Sequence, residues 1–510
     1  MKGPLFLGMD VGTTGVKVLL VNGQGNVLGQ ETSEYPLLQP QPLWAEQNPA
    51  DWWSAAITAL NKVSHRHPLK GRLVAIGLTG QMHGSVFLDR KGEVIRPAIL
   101  WCDQRTGDQV RKIEETVGKE RLNQITGNPV FTGFTAPKIL WLRQNEPDAY
   151  QKIAKILLPK DYLRFKLTGE FASDVTDNSG TSMFDVSQRR WSLEILEALR
   201  IKQEWLAPVF ESSEVVGKVE RTAASLTGVP EGTPVVAGAG DQAASGVGNG
   251  VVSPGIISST IGTSGVIFAF SEKVLKDPAG RIHFMCHAVP GKWHLMGVCL
   301  SSGGSLRWFR DNFCQEEIVQ AKREGRDPYE IMAEEAKGVP PGCEGLIFLP
   351  YLTGERTPHA DPLARAVFFG ATSRHTKKHF LRAVMEGVVF GLRDSIEAMK
   401  RLGLEIEEVR ASGGGARSDL WCQIQADIFH QTIFRTENPD TTSLGAAILA
   451  ACGVGYFKTV PEACRVMVKI REKFLPDPKN SQVYDCIYQV FGNLYPILKP
   501  SFDRIAKFEV

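Results

Sequence analysis

Residues 7–20 read LGMDVGTTGVKVLL, and chemistry is concentrated there. Asp10 closes a short apolar run, Gly12, Thr13, Thr14 and Gly15 make a turn, and Lys17 stands just inside a second apolar run. Glycines in such a turn allow positive φ and bring the backbone close to a ligand. The turn's N–H groups and the two threonine hydroxyls can converge on an anion. Asp10 offers an oxygen to a phosphate-bound Mg²⁺, directly or through water. The pattern is not the G-x-x-x-x-G-K-[ST] loop that opens a helix. A phosphate cradle on a β-hairpin fits these residues, and so does an ordinary hairpin with a glycine-rich turn.

The segment GIISSTIGTSGVIFAF, residues 255–270, repeats G-T-[ST]-G-V at Gly262 and Thr263 between two apolar runs. No acidic residue there matches Asp10. A duplication is the physical reading: two domains that open on the same hairpin, facing each other across a cleft, with two turns clamping one triphosphate. In PVVAGAGDQAASGVG, residues 234–248, a buried strand runs into Gly238 and Gly240, and Asp241-Gln242 opens a helix of small residues. A carboxylate there sits on the positive end of the helix dipole, which is expected to keep its pKa low; a plain N-cap is the other reading.

Residues 73–88 read as a strand, a polar turn with Gln81, Met82 and His83, and a second strand. Side chains of mixed hydrogen-bonding type at a strand end suit a polyhydroxy ligand, although a turn histidine is often satisfied by backbone. Trp101, Asp103 and Arg105 follow, a pairing found at sugar sites and on plain surfaces. Near the C-terminus a strand, the glycines 413–415 and a helix form a unit that can receive an adenosine or make a tight β-to-α turn.

Positioning these residues takes a large chain. Its 510 residues exceed one core, so two large domains are expected. With 22% charged residues, 43% hydrophobic ones and net charge +2, the composition is that of a globular protein with neither nucleic acid nor a membrane as partner. Nine scattered cysteines argue against a disulfide framework and a zinc site, and for a reducing, cytoplasmic compartment. No signal peptide is expected, because Asp10 interrupts the first apolar stretch. The opening strands and the turn at 22–25 predict a three-stranded antiparallel meander. A helix capped by Asn48 or Asp51 follows. Residues 108–205 read as mainly helical, and 172–181 as a loop with Asx-type turns. Residues 443–455 form an apolar helix expected to pack under the 413–415 unit, and the last thirty residues a helical tail.

Taken together, DVGTTGVK, GQMHG, FTAPKILW, KILWLRQN, LPKDYLR, FLPYLTGERTPH, FFGATSRHTKKHFLRAVME and GGGARSD resemble the FGGY family of carbohydrate kinases over essentially the whole chain. Ala371 departs from the larger aliphatic residue usual at its position, which reads as packing. The resemblance implies an α/β fold of two actin-like, ribonuclease-H-like domains of the hexokinase and Hsp70 type around a hinged cleft. It implies an N-terminal domain at 1–245 for the sugar and the first phosphate loop, a nucleotide-binding domain at 246–485, and a helical tail at 486–510. ATP and Mg²⁺ are implied as cofactors and a small sugar as acceptor, D-xylulose at its C5 hydroxyl, with ribulose, gluconate or glycerol as alternatives; a homodimer is compatible with this reading. By position, Asp241 is the implied catalytic base. Gln81, Met82, His83, Trp101, Asp241 and Gln242 fall to the sugar, and Thr13, Thr14, Lys17, Gly262, Thr263, Gly414, Gly415 and Ser418 to the nucleotide. Asp10 stands behind the metal. A non-catalytic actin-fold sugar sensor would lack Asp10, Asp241 or the turns, and an Hsp70-like chaperone would need a peptide-binding β-domain.

Overall fold

Leu5–Val11 pairs antiparallel with Gly15–Asn22 and parallel with Leu73–Gly80, which puts the 12–15 turn at one end of a sheet. The computed structural model describes residues 3–508, so Met1, Lys2, Glu509 and Val510, the outer ends of the first domain and of the tail, lie outside the described residues. By contact the chain divides into two units. The first comprises Met1–Ser253, Phe270–His294 and Asp440–Lys469; the second comprises Pro254–Ala269, Leu295–Pro439 and Ile470–Val510.

In the first unit the sheet runs Val215–Lys218, Pro234–Val236, Leu73–Gly80, Leu5–Val11, Gly15–Asn22, Val27–Glu34. Its last three strands are the expected meander. Leu5, Leu7, Met9 and Val11 share a core with Trp52, Ala56 and Leu60 of the Pro49–Arg66 helix, which Asn48 caps by accepting the Ala50 N–H (3.1 Å). Alternation along the strand sends Gly8 and Asp10 to the other face. There lies the Thr441–Gly453 helix. A side chain at Gly8 would overlap the Ser443 carbonyl, one at Gly77 that of Ala446, and one at Gly445 that of Ala244 in the Asp241–Gly248 helix.

That interlock corrects the expectation that 443–455 packs under the 413–415 turn. The apolar helix belongs to the first unit, because glycines on two strands let its backbone approach the sheet and its own Gly445 lets it approach a second helix. A second correction concerns 172–181. The segment forms the short Ser173–Asp174 strand and Val175–Asn178 helix, and its polar side chains are buried. Asp174, Thr176 and Ser173 bond within the segment or to Asp161, and Asp174 and Asp177 face the buried Lys160, so polar composition there does not mean solvent.

The second unit repeats the opening plan. Gly255–Ile261 pairs antiparallel with Gly265–Ser271 and parallel with Ile406–Ser412, and Thr432–Thr436 and Ile470–Phe474 follow in the sheet. The final helix spans Pro478–Ile505 and so begins before the expected tail. Arg382 and Glu386 of the Lys377–Arg401 helix grip its Tyr484 hydroxyl at 3.0 and 2.7 Å. All nine cysteines are free, and among the described residues no helix is long and apolar enough to cross a membrane.

Candidate active site

An anion-binding turn has to hide its carbonyls, and the 12–15 turn does so. Tyr35 Oη–H donates to the Gly12 carbonyl at 2.5 Å, Gln47 Nε2 to that of Thr13 at 2.7 Å, and the Tyr35 N–H to that of Thr14 at 3.3 Å. Thr13 Oγ1 donates to Gln81 Oε1 (3.2 Å) and accepts from Trp101 Nε1 (3.1 Å). Gln81 Nε2 in turn donates to Gln47 Oε1 at 2.9 Å, which also receives Trp52 Nε1 at 3.0 Å. Gln81 and Trp101, read from sequence as sugar residues, are therefore fastened to the phosphate turn; the Gln81 amide is committed at both ends. Thr14 is exposed, while Thr13 and Lys17 are half-buried. Tyr35, Gln47 and Trp52 were not picked out from sequence, because their roles rest on contacts with a turn distant in the chain.

Behind the turn stand three carboxylates and one cation. Asp10 faces Lys17 across the strand pair, and Lys17 Nζ lies 3.5 Å from Asp440 Oδ2. Asp440 caps the Thr441–Gly453 helix, its side chain accepting the Ser443 N–H at 3.3 Å. The D-T-T-S run that opens that helix has the form of an N-cap, but only the fold brings it to Lys17. Burial, then Asp241, then Asp440 push the Asp10 carboxyl up to about 7, against the pull of Lys17. Asp10 Oδ1 is buried with no hydrogen-bond partner.

Asp241 is the first residue of the Asp241–Gly248 helix, and Gly240 occupies the N-cap. Its carboxyl is not held low. Burial raises it to about 6, and hydrogen bonds from the Gln242 backbone and side chain only moderate the rise. The helix N-terminus acts in the expected direction, but desolvation outweighs it.

Among the described residues no three His, Cys, Asp or Glu side chains are arranged to hold a metal ion by themselves. An unpartnered Asp10 oxygen amid excess negative charge nevertheless fits Mg²⁺, which keeps waters and takes most of its oxygens from substrate phosphates.

The 81–83 turn lies against the Asp241 segment. Met82 is buried with Phe134 and Met285, and a Cβ on Gly240 would crowd its Cγ at 2.8 Å. His83 adopts φ 68°, stacks on Phe134 with ring centroids 4.5 Å apart, and engages the Gly180 carbonyl through Nδ1 at 2.9 Å. The His83 carbonyl accepts from Lys138 Nζ at 2.8 Å and from Thr135 Oγ1 at 3.2 Å. Burial lowers the Lys138 amine to about 7. Gln242 is half-buried next to Asp241.

In the second unit Gly262, Thr263, Gly414, Gly415 and Ser418 all line one cavity of about 810 Å³. The Thr263 carbonyl receives the N–H groups of Ser302 and Gly304, both at 2.9 Å, and the Gly262 carbonyl that of Gly303 at 2.8 Å. Arg307 Nη2 donates to Thr263 Oγ1 at 3.2 Å. Ser418 caps the Asp419–Phe429 helix through the Trp421 N–H (3.3 Å), which leaves its hydroxyl hydrogen for another partner. Trp421, Tyr329 and Phe474 supply aromatic surface to the same cavity, a mix of apolar wall and few polar groups that suits a nucleoside.

The N-terminal domain model of the FGGY family of carbohydrate kinases matches residues 5–248, and its C-terminal domain model matches 257–454. The chain is 40% identical to the xylulose kinase of Escherichia coli (strain K12) over 97% of this chain and 99% of that one. It is 38% identical to the xylulose kinase of Bacillus subtilis (strain 168), over 98% and 99%. A crystal structure described as a xyloylose kinase from Brucella ovis superposes with a TM-score of 0.88 at 37% identity, covering 97% of this chain and 99% of that one.

Proposed function

Because the chain belongs to the FGGY family of carbohydrate kinases, we propose that it transfers the γ-phosphoryl group of ATP to the C5 hydroxyl of D-xylulose, giving D-xylulose 5-phosphate and ADP. The observation that carries the reaction type is the pairing of a phosphate turn with a half-buried carboxylate, Asp241, whose basicity desolvation raises toward neutral pH. The identity of the acceptor rests on relatives named xylulose kinase that match nearly the whole chain.

Asp241 accepts the C5 hydroxyl proton as the new O–P bond forms and the bond to the β-phosphate oxygen breaks. Proton removal matters late, because phosphoryl transfer passes through a loose transition state. Thr13, Thr14 and Lys17 hold the transferring phosphate and the charge that develops toward the β–γ bridge. Gly262 and Thr263 take the other phosphates, and Gly414, Gly415 and Ser418 the nucleoside. Gln81, Met82, His83, Trp101 and Gln242 contact the sugar, and Gln81 and Trp101 also brace Thr13. Asp10 would hold Mg²⁺ through water, and the ion would supply charge neutralisation on the phosphates. The division of labour assigns the sugar and the first phosphate turn to residues 1–245 and the remaining nucleotide contacts to 246–485. Nine free cysteines fit a reducing, cytoplasmic compartment.

A panel of D-xylulose, D-ribulose, gluconate and glycerol with ATP and Mg²⁺ tests this reading, with ADP release as rate and phosphorus NMR as product assay. D-Xylulose should exceed each of the others in kcat/KM by about 10²-fold. Faster turnover of any other acceptor would replace the substrate assignment.

A further inference from the structure

Phosphoryl transfer as read above uses Asp241 but not the charged cluster buried behind it. Lys160, Asp161, Arg164, Asp174 and Asp177 are all buried, two cations among three carboxylates. Lys160 Nζ lies 2.6 Å from Asp161 Oδ1, 2.8 Å from Asp174 Oδ1 and 3.4 Å from Asp177 Oδ2, and Arg164 Nη2 is 2.9 Å from Asp161 Oδ1. Taking charges out of water costs several kcal/mol per ion, and apolar residues of similar volume often do as well or better for stability. A cluster of this size therefore calls for a use other than stability.

Two of its contacts supply one. Arg164 Nη1 donates to the Ala237 carbonyl at 2.6 Å. At the other end of the same segment the Gly240 N–H donates to Thr176 Oγ1 at 2.9 Å. The Thr176 hydroxyl can accept there because its own hydrogen goes to Asp174 Oδ2 at 2.6 Å. That oxygen also receives the Thr176 N–H (2.8 Å) and the Ser212 hydroxyl (3.0 Å). The segment so held is also pressed onto the sheet. Ala239 and Gly240 pair with Thr79 and Gly80, and Gly238, at φ 76°, has no room for a side chain against the Leu78 carbonyl. Both ends of residues 237–240 are thus tied to the ion cluster, and the next residue is Asp241.

We propose that Thr176, oriented by Asp174 and anchored through Lys160, is a positioning residue that fixes the backbone from which Asp241 reaches the acceptor hydroxyl. The inference rests on Asp241 being the base. It explains why a polar segment is buried at 172–181: a hydrogen bond sets the direction of the Gly240 N–H, which apolar contact cannot do. A misplacement of about 1 Å can cost about 10²-fold in rate.

Thr176→Val keeps the shape and removes the acceptor. It should lower kcat by about 10- to 50-fold, leave both KM values within about 2-fold, and expose the Gly240 amide to faster hydrogen exchange. Thr176→Ser should restore kcat to within about 3-fold, because the hydroxyl returns. Ser212→Ala, a milder change, removes one of three donors to Asp174 Oδ2 and should lower kcat by about 2- to 4-fold with unchanged KM; it keeps the test open should the valine variant fail to fold. Unaltered kcat in Thr176→Val, or in Ser212→Ala where the valine variant does not fold, overturns the role, as does equal loss in the valine and serine variants. Asp241→Asn assayed alongside separates the two readings. If it turns over normally, the base assignment falls and this inference with it; if it is disabled while Thr176→Val is not, the positioning role alone falls.

Discussion

The two G-T-[ST]-G-V turns share letters but not structure. In the first, Val11 pairs with Val16 and four residues make the turn, closed by the Gly12 N–H on the Gly15 carbonyl. In the second, Ile261 pairs with Gly265, three residues remain, and the Gly262 N–H closes on the Ser264 carbonyl. Asp10 faces Lys17 beside the first turn, whereas Thr260 faces Val266 beside the second and shares a 2.7 Å hydrogen bond with Ser412. Side chains from distant elements engage the carbonyls of the first turn, and the backbone at the start of the Gly303–Phe313 helix engages those of the second. A backbone-built cradle without carboxylates in its hairpin, with Arg307 at its side, can bind phosphate. A charged one, with carboxylates raised to about 6 and 7 and a lysine among them, can also move a proton and stabilise charge that develops during reaction.

The contrast breaks most readily at the proposed base. Asp241→Asn should lower turnover by about 10²–10⁴ with little change in sugar affinity, read by coupled ADP release and isothermal titration. In the wild type kcat/KM should fall as pH drops below about 6, where Asp241 takes up its proton. Thr263→Ala, in the second turn, should change kcat by less than about 5-fold and act mainly on the KM for ATP. Comparable losses from the two substitutions would erase the distinction between a reacting turn and a binding turn.

A smaller effect is expected from the cations. Lys17→Met removes charge where the β–γ bridge is proposed to lie, and kcat should fall by about 10- to 10²-fold. Arg307→Met, beside the second turn, should raise the KM for ATP by about 2- to 10-fold and leave kcat nearly intact. Steady-state kinetics at fixed Mg²⁺ resolves both. A kcat loss at Arg307 equal to that at Lys17 would mean that the second turn, too, meets the transferring group.

Local chemistry explains what was legible without coordinates. A ligand-facing turn needs glycine and threonine in consecutive positions, and a base at a helix start needs a strand before it and small residues after it. Both patterns lie within a few residues, so sequence alone could propose roles for Asp10, Thr13, Lys17 and Asp241. The hairpin meander and the Asn48 cap were legible for the same reason. What escaped depends on packing between distant segments. Asp440 comes to Lys17 only because glycines at 8 and 77 let the Thr441–Gly453 helix settle on the sheet and Gly445 lets it pack on the Asp241–Gly248 helix. The hydrogen bonds of Gln81 to Thr13 and Gln47 were not legible, because those partners are remote in sequence. The direction of the Asp241 shift was misread because a helix terminus is a local feature and burial is not.

Stability as a function of pH gives the smallest effect and needs no substrate. Unfolded Asp10 loses its proton near its ordinary 3.8, and folded Asp10 near 7. Between those values the folded chain binds more protons than the unfolded one, so this group's contribution to stability falls as pH rises through that window. Asp10→Asn removes the term. The variant should match the wild type below about pH 4, gain on it between about 4 and 7, and stand about 1–3 kcal/mol more stable at pH 8. Thr260→Val, at the corresponding place in the second hairpin, removes no titrating group, and its offset from the wild type should not vary with pH. Urea unfolding of the nucleotide-free protein at pH 4, 6 and 8 measures both. If Asp10→Asn were less stable at pH 8, the first turn would not be under electrostatic strain. The contrast with the second turn would then rest on geometry alone.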